Sequence, residues 1–136
     1  MTATDRPAKV ARLSDLLEAR GAPAIVLTSA ASLSWLLDGA RVTVPIGGPA
    51  VASARVSADG SVTVTALANE AQRLADEELE GVEVRSVRWF DDVVDARGAL
   101  LEHDAAAELR AARASLLPVE RDRYRALCHD LAARVT

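Results

Sequence analysis

Residues 51–67 constrain the fold more than any other stretch. Val51 to Val56 and Val62 to Leu67 alternate along their length, and Ser57-Ala58-Asp59-Gly60 between them is a hairpin signal of the Asp-Gly type. Ala52, Ala54 and Val56 share one face of the first strand, and Val62, Val64 and Ala66 share another. A hairpin needs edges paired and a face covered, so the rest of the chain must supply both.

The flanking segments read as alternating helices and strands. Val10, Leu13, Leu16 and Leu17 recur at helical spacing behind Asp5-Arg6-Pro7, where Asp5 can cap and Pro7 is tolerated in the first turn. Gly21 and Pro23 stop that helix. Ala24 to Thr28 is a short apolar run that suits a strand covered on both faces. Ser29 or Ser32 opens a short helix holding Leu33, Trp35, Leu36 and Leu37, ended by Asp38-Gly39. Val42 and Val44 suggest a further strand, interrupted by Pro45 and Gly47-Gly48-Pro49. Beyond the hairpin, Asn69 and Gln72 form a capping-box pattern for a helix running through Leu74 and Leu79 to Gly81. Val82, Val84 and Val87 give another strand. The remainder reads as helical: Phe90, Val93, Val94 and Leu100-Leu101 in one helix, weakened at Gly98, and Ala105 to Leu117 in a second. Tyr124, Leu127, Cys128, Leu131 and Val135 make a stripe on a third. The expected fold class is α/β, a mixed β-sheet flanked by helices and ending in connector helices.

Composition narrows the function. The chain has 136 residues, enough for one domain with a core of its own. Aromatic residues are only 3% of it, so Ala, Val and Leu must fill that core. Sixteen basic residues against 20 acidic give a net charge of −4, and no basic run exists to meet a nucleic-acid backbone. Cys128 is the single cysteine, which excludes an intramolecular disulfide and a cysteine-rich metal site. No apolar run approaches the roughly 20 residues that span a bilayer, and the N-terminus lacks a signal-like apolar stretch. The expected location is the cytoplasm.

No catalytic constellation is visible. His103 lies in Glu102-His103-Asp104 and His129 in His129-Asp130, and neighbours on a helix point about 100° apart, so neither cluster closes on one ion. Glu77-Glu78 and Asp91-Asp92 are likewise consecutive, with Asp91-Asp92 placed in the first turn of a helix. Cys128 reads as a buried, inert thiol on its apolar stripe. Gly47-Gly48-Pro49 lacks the spacing and the lysine of a phosphate loop. Trp89 reads as core or interface.

Several segments, in order, resemble one family. "RLSDLLEARGAPAIVLTS" is similar to the first helix and strand of the creatinase/prolidase N-terminal domain, and "AASLSWLLDGAR" to that family's Asn-x-x-Tyr-Leu-Thr-Gly helix. Trp35 then takes the aromatic position, Gly39 the glycine, and Ser32 the position of the Asn, with Leu37-Asp38 one residue longer than the family spacing. "ANEAQRLADEEL" and "VRWFDD" resemble the segments around the next helix and strand, and "LRAARASLLPVERDRYRALCHDLAARV" resembles the helices that lead into the metallopeptidase domain.

The resemblance implies a ribonuclease H-like topology for residues 1–102 and a helical connector over residues 103–136, toward a catalytic domain not included. It implies a non-catalytic N-terminal domain of a Xaa-Pro aminopeptidase or prolidase-like (M24-type) hydrolase. Two divalent metal ions (manganese, cobalt or zinc) are implied in the catalytic domain and none in this chain. The implied partners are that domain, a second subunit of a homodimer and a peptide substrate at the cleft, with no nucleic acid and no membrane. Trp35, Asp38 and Arg41 are the implied substrate-proximal residues, and Arg41 could clamp a peptide carboxylate. Their other reading is a packed Trp35 and a solvated Arg41. The alternative function is a free-standing interaction or ligand-binding module that has lost the catalytic half. A small independent hydrolase is the least supported reading. A role at an interface predicts exposed apolar surface.

Overall fold

The computed structural model describes residues 4–135. Helix α1 (Arg6–Arg20) is followed by β1 (Ala24–Leu27), α2 (Ala30–Leu36), β2 (Ala52–Ser57) and β3 (Val62–Leu67). Helix α3 (Ala68–Arg73) runs into a single wide π-turn at Leu74–Glu78, then β4 (Glu83–Val87). Strand β5 (Leu100–Leu101), a 3₁₀ turn at Glu102–Ala105, α4 (Ala106–Ala114) and α5 (Pro118–Val135) complete the chain. Thr136, and with it the last residue of the final helix as expected, lies outside the described residues.

The strands form one mixed sheet in the order β4-β3-β2-β1-β5. The meander β1–β2–β3 is antiparallel, while β4 joins β3 and β5 joins β1 in parallel. In the hairpin Val56 pairs with Val62, Ala54 with Val64 and Ala52 with Ala66. Cross-strand partners project to the same side, so the two apolar sets expected on separate faces make a single one. That face meets Leu13 and Leu17 of α1 and Leu33 and Leu36 of α2, all fully buried. Small alanines in β2 and β3 let the helices approach closely, which suits a core almost free of aromatic rings. Helix α4 packs on α1 and adds Leu109 to the same core, while Arg12 donates to the Ala112 carbonyl at 2.8 Å.

Helix starts follow partly different chemistry from that expected. Ser29 caps α2, its side chain accepting from Ser32 N at 3.1 Å. Asp5 stands at the start of α1 without capping it; its carboxylate binds Arg123 of α5 instead. The Asn69–Gln72 capping box is absent, because α3 begins directly off β3 at Ala68 and Gln72 reaches Asp76 at 2.6 Å. Gly21 closes α1 in the left-handed region (φ 59°).

Three expectations are corrected. Residues 88–99 form no helix. The chain here must travel from the β4 edge to the β5 edge, and turns fix its path: Asp92 accepts from Val94 N at 2.8 Å, and Arg55 of β2 donates to the Asp95 carbonyl at 2.9 Å. Asp91-Asp92 therefore occupy turns, with Asp91 paired to Arg88 at 2.8 Å. Leu100-Leu101, expected in that helix, are β5. Val42 and Val44 form no strand; only Thr43 bridges to Ala50, since Pro45 and Pro49 carry no N–H to extend a ladder. Cys128 is exposed, because α5 buries no residue.

Candidate functional site

The end of α2 is where the sequence placed its candidates. Helix α2 stops at Leu36, and Asp38 (φ 56°) and Gly39 (φ 83°) reverse the chain in the left-handed region. Asp38 is the single non-glycine residue with positive φ among the described residues. Its carboxylate holds that conformation in place: it accepts from Asp5 N at 3.3 Å and from the Thr4 hydroxyl, and it faces Arg6 at 3.4 Å and Lys9 at 3.6 Å. Lys9 is buried among these groups, also 3.7 Å from Glu120, with its ammonium 6.0 Å from the centre of the Trp35 ring. Burying an ammonium is tolerable only with such partners. Asp5, held by Arg123, lies below the usual carboxylate range.

Trp35 and Asp38 line one open cavity of about 350 Å³, together with Lys9, Ser34 and Glu120. A second, of about 360 Å³, lies on the other side of Asp38 and is bounded by Arg6, Gly39, Glu78 and Glu80. Arg41 lines neither. Its backbone N–H donates to Glu78 at 3.1 Å, its Nε binds the other oxygen of the same carboxylate, and Glu77 stands 3.5 Å from its Nη2. Glu78 is the inner member of this pair, 11% exposed against 72% for Arg41. Burial alone would raise the Glu78 pKa; the hydrogen bonds from Arg41 and the charges of Arg41 and Arg73 outweigh it and leave the group below its ordinary value. So the carboxylate clamp expected of Arg41 is already filled from within the chain. Arg73 adds a hydrogen bond to the Arg41 carbonyl at 3.0 Å. The π-turn delivers Glu78 to this position.

From this corner the loop 42–51 projects outward. Val51 N donates to the Val42 carbonyl at 2.8 Å at its base, and Ile46 at its tip is 105% exposed. Gly48 packs so closely on Pro45 that an added Cβ would fall 2.4 Å from the proline ring, so the tip tolerates no side chain there.

A second polar cluster escaped sequence reading. Glu102, in the 3₁₀ turn after β5, accepts from Thr28 N at 2.6 Å, Ser29 N at 2.8 Å, Ser29 Oγ at 2.6 Å and the Ser32 hydroxyl. Arg113 of α4 donates to Ser32 Oγ at 2.9 Å. Burial pushes Glu102 up, but these donors prevail and hold it below its ordinary value. The cluster ties β1, α2 and α4 together. The serines at 29 and 32, one helical turn apart, were its sequence signal. Ser32, standing at the family's Asn position, is completely buried in it.

Among the described residues no three His, Cys, Asp or Glu side chains gather where they could hold a metal ion. His103 is exposed beside Asp104 at 3.2 Å. Among the described residues no helix is long and apolar enough to cross a membrane.

These features define an α/β domain with a mixed five-stranded sheet and helices packed against it. More particularly, the fold is that of creatinase/prolidase N-terminal domains. The chain superposes on the N-terminal, creatinase/prolidase-like domain of a provisionally assigned metallopeptidase from Corynebacterium diphtheriae with a TM-score of 0.56 at 17% identity, covering 80% of this chain and 89% of that one. A proline dipeptidase from Streptococcus agalactiae 2603V gives 0.52 at 15% identity, over 84% of this chain and 96% of that one. A Xaa-Pro dipeptidase from Bacillus anthracis gives 0.53 at 13% identity over 77% of this chain. The matched region is only 30% of that dipeptidase, so this chain corresponds to a minor part of it. No protein-family model and no curated protein matches the sequence.

Proposed function

We infer that this chain is the non-catalytic N-terminal domain of a prolidase-like or Xaa-Pro aminopeptidase-like metallopeptidase, helping to hold a homodimer and to cover the substrate cleft of the partner subunit. The observation that carries this reading is the fold itself, shared over most of the chain with a domain described as the N-terminal part of a provisionally assigned metallopeptidase. Bond cleavage would belong to a catalytic domain holding two divalent ions (manganese, cobalt or zinc), with residues 103–136 as the connector. The projecting loop with Val44 and Ile46, and the apolar stripe of α5, are surfaces suited to such neighbours. Trp35, Asp38 and Arg41 would act at the cleft by shape and charge; a substrate carboxylate reaching Arg41 would have to displace Glu78.

The test is hydrolysis of a Xaa-Pro dipeptide by the protein as its gene extends past Thr136, with each metal in turn, beside the 136 residues alone. Activity is expected in the extended protein only. There, shortening the loop by removing 44–48 is expected to raise KM about tenfold. Activity in the 136 residues alone, or an extended protein indifferent to the loop, would overturn the proposal. A gene that stops after Thr136 would move the reading to a free-standing interaction module.

A further inference from the structure

Strand β4 forms one outer edge of the sheet, so one side of its backbone has no strand partner among the described residues. Its charges are antisymmetric about Val84. Glu83 precedes that residue and Arg85 follows it; Glu80 and Arg88 stand at the mirror-related positions just beyond the strand. Charged edges ordinarily repel copies of themselves, because like meets like. Here an antiparallel copy would meet the opposite sign. With Val84 facing the partner's Val84, Glu83 faces the partner's Arg85 and Arg85 faces the partner's Glu83. Centring the pairing on Arg85 would instead oppose two guanidinium groups, so the charge pattern selects one register. Glu83 and Arg85 are bound mainly to each other at 3.1 Å and are more than half exposed, so exchanging partners costs little.

Apolar features sit at the ends of the same edge. Trp89 and Phe90 follow β4, 81% and 59% exposed, with their rings edge to face and centroids 5.4 Å apart. Near the start of β4 opens a mostly apolar cavity of about 370 Å³ lined by Pro7, Val10, Val62 and Val82, with Arg6 at its side. Antiparallel pairing carries the partner's Trp89 and Phe90 to that end. Large rings and arginines are the side chains that most often anchor protein interfaces.

The geometry points to a second copy of this chain as the occupant of this edge: a two-fold, antiparallel β4–β4 seam joining two five-stranded sheets into one of ten strands. The seam is closed by its own symmetry, so assembly stops at the dimer. It requires no catalytic domain and stands whether or not the preceding function holds.

The test is light scattering after size exclusion on the 136-residue chain, at concentrations up to about 1 mM, the weak limit of specific association. A species of twice 14.4 kDa is expected. Arg85→Glu places four acids on the seam and is expected to weaken the dimer at least about tenfold. The double swap Glu83→Arg with Arg85→Glu restores opposite charges and is expected to restore the dimer, which separates pairing from misfolding. Val84→Cys in a Cys128→Ser background should form an intermolecular disulfide, since paired Cα atoms at the two-fold lie within disulfide reach. A chain monomeric throughout, a dimer insensitive to Arg85→Glu, or a swap that fails to recover it while circular dichroism shows a native fold would overturn the seam.

Discussion

Helices α1 and α5 carry the same kind of pattern and meet opposite fates. Both place apolar residues at spacings of three and four. In α1, Val10, Leu13, Leu16 and Leu17 are buried against the sheet; in α5, Tyr124, Leu127, Leu131 and Val135 are all more than half exposed. Alpha-helical periodicity says that a face wants covering, and nothing in it says that the cover belongs to the same chain. What separates the two is position. Helix α1 lies over the β1–β2–β3 meander, whereas α5 leaves the body after Leu117, held there by the Arg123–Asp5 and Lys9–Glu120 ion pairs.

The largest effect should come from testing that contrast directly. Leu17→Ala is expected to cost about 3 kcal/mol in urea unfolding, as a fully buried leucine replaced by a cavity. Leu131→Ala should stay within about 0.5 kcal/mol. A large loss at Leu131 would mean that the stripe is covered in solution, and the contrast would fail.

Glu102→Gln should come next, costing about 2 kcal/mol by removing charge-assisted acceptors from a partly buried cluster. The sign of its pH dependence follows from the lowered folded-state value. Its contribution is full above about pH 4.5, the ordinary value of the group, and is lost as pH falls through the folded value. The gap between the wild type and Glu102→Gln should therefore narrow in acid; a gap constant from pH 7 to pH 3 would count against the charge being the cause.

Arg123→Ala should be the mildest in its effect on global unfolding, because Arg123 is half exposed. Its signature is local. Amide exchange in the first turns of α5 should quicken while α1 stays protected, and equal loosening of both would show that α5 is part of the core after all.

Much of the fold was legible because its elements are long enough to show a period. The hairpin, α1 and the stripe of α5 are of this kind, while β1 was legible as a short unbroken apolar run between a helix stop and a serine cap. Strand β5 was not, since two leucines have no period and their neighbours happened to complete a helical one. At the candidate site, Trp35, Asp38 and Arg41 could be located by motif, but their partners could not. Glu78 reaches Arg41 through a π-turn that no local pattern announces, and Asp5 meets Arg123 across almost the whole chain. Lys9 did leave a trace: it is the sole lysine and shares a helical face with Leu13 and Leu16, an odd place for an ammonium without an acid to meet it.

The parallel pairing of β5 with β1 sets a schedule for the newborn chain. Leu100 leaves the ribosome roughly seventy residues after Val26, the strand it must flank, and at about five to twenty residues per second that is a wait of several seconds. Until then the far border of β1 is bare and Glu102 has not arrived to bind the serines at the head of α2. A nascent polypeptide stalled inside that interval would display a buried-type strand to whatever holdase is nearby, so synthesis itself is the stage at which this domain is most vulnerable.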